Sequence, residues 1–219
     1  MLTKFTNRFT ILVDQNELGK MTMNNTTINT GNNTTVNTDN KTFMLTLTAL
    51  FAAVLAVGSW ISIPLPFTPI PINLGTLAVI LTGALLGWKY GTISVLIYIL
   101  LGAVGVPVFA GFTGGLGHIA GPTGGYIIGY ITSALICGII MQLFYEDRKW
   151  WVIAVASLLG TASCYILGTI WFMILTKNTL AASLSMCVIP FLPGDVFKII
   201  VAVIAVPLLK KALSRTAAA

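Results

Sequence analysis

The sequence predicts an all-α membrane protein, a bundle of six transmembrane helices with both termini cytoplasmic and a glycine-rich loop capping an outward-facing pocket. Three observations lead there. Hydrophobic residues fill 56% of the 219 positions and charged residues only 8%, with a mean hydropathy of +0.92, which is far too apolar for a soluble domain of this size. Past residue 42 the chain has room for six crossings at roughly 20 residues each with short turns. Finally, the cationic residues segregate. With a cytoplasmic N-terminus, the inner segments hold Lys4, Arg8, Lys20, Lys41, Lys89, Arg148, Lys149, Lys210, Lys211 and Arg215, and the outer loops hold only Lys177, as the positive-inside bias requires. The formal charge of +6 is spread over helix ends rather than gathered on one face, so nucleic acid is not an expected partner.

Residues 1–42 form a polar N-terminal extension, and residues 43–215 the membrane-embedded domain. From Asn24 the tail becomes NNTTINTGNNTTVNTDNKT, too poor in apolar side chains to offset ordering entropy, and disorder is expected. Its N-x-T sequons at Asn24, Asn25, Asn32, Asn33 and Asn40 follow from composition. Met21, Met23 and Met44 are alternative starts. The tail has no apolar stretch of the length a signal peptide needs.

The first crossing is expected over residues 43–61. Ala49, Ala53 and Ala56 place small side chains along it, which allows close approach of another helix in lipid; that helix is either a neighbour in the same bundle or part of a separate subunit. Pro64, Pro66, Pro69 and Pro71 then enforce extended backbone and forbid a continuing helix, predicting a stiff hairpin or cap. Residues 74–86 and 91–104 read as two short helices separated by a turn at Gly87 and Lys89. Residues 102–130, GAVGVPVFAGFTGGLGHIAGPTGGYIIGY, are glycine-dense. Irregular backbone at membrane depth is tolerated only where protein covers it or it lines a cavity, so this connection reads as a loop closing over a ligand. A fourth helix is expected over 124–145, a fifth over 150–176 after the turn at Arg148 and Lys149, and a sixth over 193–213 containing Pro207.

Asp195 and Lys198 are the charged residues expected within the outer part of the bundle, where charge is costly and usually functional. Three residues apart, they share one face of the first turn of the sixth helix. They read either as a structural ion pair or as an acceptor and a cationic donor for a polar ligand. His118 has no carboxylate or cysteine neighbours in sequence, and reads as a loop hydrogen bonder rather than a metal ligand. Cys137, Cys164 and Cys187 lack metal or disulfide spacing and read as packing residues. No GK[ST] follows GPTGGY, so the chain has no phosphate loop and no ATP site of that kind, and the glycines at 115–120 lack a βαβ context. HExxH and GxSxG are absent too. Trp60, Phe67, Phe109, Phe112 and Tyr126 read either as interfacial aromatics or as pocket walls.

GALLGWKYG at 83–91, SVLIYILLGAVGVPVFAG at 94–111, TGGLGHIAGPTGGYIIG at 113–129 and LPGDVFK at 192–198 together resemble the BioY family, the biotin-binding S components of energy-coupling factor (ECF) transporters. The resemblance covers residues 44–213. It implies a plasma-membrane protein with six helices that captures biotin from outside, performs no chemistry, needs no cofactor, and contacts membrane lipid, a transmembrane coupling subunit and two ATPases. Asp195 and Lys198 match the family's PGDxxK, which implies hydrogen bonds to biotin. Gly111, Phe112, Thr113 and Tyr126 would line and close the pocket with Trp60, while Ala49, Ala53 and Ala56 would form the docking face. Many members carry a glutamine after the proline loop, where this chain reads INLGTL and Asn73 stands in for the polar contact. The alternatives are an S component for another vitamin, a self-sufficient biotin carrier, or an intramembrane enzyme using Asp195 and Lys198 as an acid/base pair.

Overall fold

The computed structural model describes residues 36–66, 68–144 and 150–216. The expectations for residues 1–35, for Phe67 and for the turn at Arg148 and Lys149 fall outside these. The fold is carried by the unit Asn40–Ala219.

Helix α1 (Val36–Trp60) begins earlier than the expected crossing at residue 43, so residues 36–42, read from sequence as part of a disordered tail, are helical. The membrane-compatible part is Thr42–Trp60. Its Leu55, Ala52 and Ala56 are buried while Ala49, Leu50, Ala53 and Val57 are exposed, which gives the helix one inner and one outer face.

The prolines do what their fixed φ dictates. β1 (Ser62–Leu65) and β2 (Thr68–Asn73) form an antiparallel hairpin, with Ser62 opposite Asn73 and Ile63 opposite Ile72. A two-stranded ribbon has two free edges, so backbone without an N–H is accommodated there. The register slips between Ile63 and Leu65, where Pro64 sits.

Helix α2 (Gly75–Ala103) is broken at Gly87, which adopts φ 74° and ψ −178°. That conformation is open to glycine at little cost. Beyond it the chain turns back: a Cβ on Gly91 would lie 3.1 Å from the Gly83 Cα, and Thr76 and Tyr98, one in each half, face the same cavity. The break falls where the sequence placed it. The loop expected around Lys89 does not form, because residue 88 already resumes the helix and the single glycine suffices for the reversal.

The glycine-rich connection is more ordered than a loop. Gly115 N–H donates to the Gly102 carbonyl (2.6 Å), and Phe109 N–H to the Thr113 carbonyl (2.9 Å). The Phe109 ring lies so close over Gly102 that a Cβ there would meet it at 2.1 Å. A short helix, α3 (Leu116–Ala120), not expected from sequence, follows.

Helices α4 (Gly124–Phe144) and α5 (Trp150–Thr176) match their predicted spans. α4 packs through small residues on both sides: against α2, Gly83 abuts the Ala134 carbonyl and Gly138 the backbone of Trp88, and against α5, Gly129 meets the Cys164 backbone and Gly160 meets Ser133, as association in lipid favours. The segment after α5 holds a second unexpected helix, α6 (Leu180–Cys187), capped by the Thr179 hydroxyl accepting from Ala182 N–H at 3.4 Å. A 3-10 turn (Ile189–Phe191) leads into α7 (Leu192–Thr216), which runs through Pro207. Among the described residues, five helices are long and apolar enough to cross a membrane.

Candidate functional site

One end of the bundle encloses a cavity of about 490 Å³, within the range of small-molecule sites. The hairpin, the turn at 109–113, α3 and the first turns of α4 and α7 surround it. The candidate ligand residues Trp60, Asn73, Gly111, Phe112, Thr113, Tyr126, Asp195 and Lys198 all line it, although they come from five separate stretches of chain.

Its polar floor is built on α7. Asp195 and Lys198, 6% and 5% exposed, form a buried ion pair, with Lys198 Nζ 3.1 Å from Asp195 Oδ1. Lys198 also donates to Thr76 Oγ1 at 2.8 Å, and the Tyr165 hydroxyl donates to Asp195 Oδ2. An ammonium has three donors and a carboxylate about four acceptor positions. One donor on Lys198 and an acceptor position on each oxygen of Asp195 therefore remain, side by side, with no net charge. Such a floor suits a neutral group that both donates and accepts. An anion would meet Asp195 in a poorly solvated setting, where unpaired charge is costly.

Beside the pair, Asn73 Oδ1 accepts from Gly75 N–H (3.0 Å) and from the Tyr130 hydroxyl (3.4 Å). These fix the amide and leave its NH₂ group as a donor toward the cavity. The Ser59 and Tyr98 hydroxyls bond each other at 2.8 Å, so Tyr98 is held in the wall.

The opposite wall is aromatic. Trp60 and Phe112 stack with centroids 5.0 Å apart and planes 24° from parallel, and Trp60 Nε1 donates to the Pro107 carbonyl at 2.7 Å. Gly111 and Phe112 both have positive φ, 70° and 58°. For phenylalanine this costs on the order of 1–2 kcal/mol, and such strain collects at ligand clamps. Tyr126 meets Tyr165 edge-on at 6.3 Å and donates to the Cys187 carbonyl at 3.3 Å.

Thr76, Tyr98, Tyr130 and Tyr165 also line the cavity and were not singled out from sequence. Their partners lie tens of residues away, and a tyrosine inside an apolar helix reads as core. His118, read from sequence as a loop hydrogen bonder, instead lies exposed on α3 and lines the cavity, and its imidazole makes no hydrogen bond among the described residues. Ala49, Ala53 and Ala56 lie away from the cavity. The first two are exposed, whereas Ala56 is buried against the chain's own core. The three cysteines are buried and free. Among the described residues no group of His, Cys, Asp and Glu side chains is placed to hold a metal.

A sequence model of the BioY family matches residues 27–215. The biotin transporter BioY of Thermotoga maritima is 38% identical over 162 residues, covering 74% of this chain and 92% of that protein. A probable biotin transporter BioY of Pyrococcus horikoshii is 41% identical over 159 residues, covering 73% and 91%. Among solved structures, the S-component for biotin from an ECF-type ABC transporter superposes with a TM-score of 0.75 at 32% identity, covering 80% of this chain and 95% of that one.

Proposed function

The chain belongs to the BioY family, and from that premise we propose that it is the substrate-capture subunit of an ECF-type transporter, binding biotin non-covalently in the cavity above Asp195 and Lys198. It is a transporter component and not an enzyme. The observation that carries the reading is the net-neutral floor, where a buried acceptor and a buried donor stand together with capacity to spare. The ureido ring of biotin presents N–H donors beside a carbonyl acceptor, so it can donate to Asp195 while accepting from Lys198 or Asn73. The bicyclic ring then lies against Trp60, Phe112 and Tyr126, and the valerate carboxylate, repelled by Asp195, points to the mouth. A site built on buried polar partners rejects analogues that leave them unpaired.

The membrane domain is residues 43–215, with the polar extension 1–42 outside it. Six crossings are supported by the reversal at Gly87, which divides α2 into two antiparallel halves. Both termini then lie on one side, and the distribution of lysine and arginine makes that side cytoplasmic. The cavity accordingly faces outward from a prokaryotic plasma membrane. Inward delivery draws on a transmembrane coupling subunit and two ATPases, docked on the exposed face of α1 at Ala49 and Ala53. Ala56 packs inward and contributes to the helix spacing beneath that face.

Equilibrium binding by detergent-purified protein tests the reading. One unmodified biotin per chain is expected. Failure to bind biotin while binding another vitamin would reassign the ligand, and recovery of a chemically altered ligand would point to an enzyme.

A further inference from the structure

Resting on biotin as the ligand, we propose that His118 binds the valerate carboxylate at the cavity mouth and sets a preference for the free acid over neutral derivatives of biotin. Of the described side chains lining the cavity, only Lys198 and His118 can carry positive charge. Lys198 is committed, since it is paired with Asp195 at 3.1 Å and bonded to Thr76 at 2.8 Å. A carboxylate placed there would share the site with Asp195.

The other donors near the mouth are already spent on backbone carbonyls. The Trp60 indole donates to Pro107 (2.7 Å), the Thr113 hydroxyl to Ala110 (2.9 Å) and the Thr123 hydroxyl to His118 (3.4 Å). Ser62 and Thr68 line the cavity with neutral hydroxyls, which do not tell an acid from its ester by charge. His118 alone combines an imidazole free of hydrogen bonds among the described residues, exposure, and a place on the cavity wall. A charged or donating imidazole there completes a bipolar site in which the neutral ring goes deep and the anion stays at the wet end, where ion pairing avoids the desolvation cost of the floor.

The test compares biotin with biotin methyl ester on the purified full-length chain, wild type and His118→Ala. Wild type should favour the acid by up to about fivefold, the range an exposed charge pair supplies. His118→Ala should bring biotin down to the affinity of the ester and leave the ester unchanged, which also serves as the folding control. Persistence of the preference in His118→Ala, or an equal loss for both ligands, overturns the assignment. Equal affinity for acid and ester in the wild type overturns it too, while tight biotin binding leaves the ligand reading standing. Wild type that binds neither compound removes the ligand reading and this assignment with it.

Discussion

Replacing Asp195 with asparagine keeps the side-chain shape and removes the charge that organises the cavity floor. In the wild type the carboxylate accepts from Lys198 at 3.1 Å and from Tyr165, with acceptor positions left for the ureido N–H groups. Hydrogen bonds to a charged group contribute about 1.5–3 kcal/mol, against roughly 1 for neutral partners. Lys198 would also be left without its countercharge. A loss of about 2–3 kcal/mol in biotin binding follows, which at 1.4 kcal/mol per decade is a roughly 30- to 150-fold rise in Kd. Stability should fall as well, because breaking a buried pair on one side costs about 3–5 kcal/mol. The double variant Asp195→Asn with Lys198→Met separates these effects. With both charges gone it should recover most of the lost thermal stability, since a buried pair replaced on both sides is often near neutral, and still fail to bind biotin. Calorimetric titration and thermal unfolding of both single variants and the double variant read this directly. Affinity within about threefold of wild type in any of them would leave the pair a purely structural bridge outside the biotin site.

Tyr165→Phe removes the hydroxyl that donates to Asp195 and keeps the ring against Tyr126. Biotin affinity should drop about tenfold, the size of one hydrogen bond to a charged group, and the melting temperature should fall as well because a buried carboxylate loses a donor; an unchanged Kd would show that the hydroxyl does not position the carboxylate. Gly102→Val should loosen the mouth, because even its Cβ would sit 2.1 Å from the Phe109 ring. Faster biotin dissociation in stopped flow is the expected sign, and an unaltered off-rate would contradict a closing role for this segment. Ala53→Trp alters an exposed position on α1. Binding by the purified chain should be intact while ATP-driven uptake in cells falls, and normal uptake would move the docking face elsewhere.

Several parts of this architecture were legible because single residues dictate them. Gly87 marks the reversal in α2 because few other residues adopt its backbone geometry, and the four prolines impose the hairpin through fixed φ. Asp195 and Lys198 stood out because charge in an apolar helix demands a reason. The floor around them was not legible. Thr76 and Tyr165 reach the pair only through the packing of α2 and α5 against α7, Tyr130 reaches the floor through Asn73, and nothing local in their segments distinguishes them from core positions. The short helices α3 and α6 escaped for another reason. A glycine-dense or short polar-apolar stretch carries no helical period, and tertiary contacts decide its conformation. His118 was misjudged in the same way, since its helix, unseen in the sequence, is what carries it to the cavity.

A crystal structure of the purified chain with biotin bound decides where the ligand sits. The ureido ring should lie within hydrogen-bonding distance of Asp195 and Lys198, its bicyclic ring beside Trp60 and Phe112, and its carboxylate toward the mouth. A carboxylate seated on Lys198, or a ligand bound outside this cavity, would show that the net-neutral floor does not hold the ureido ring.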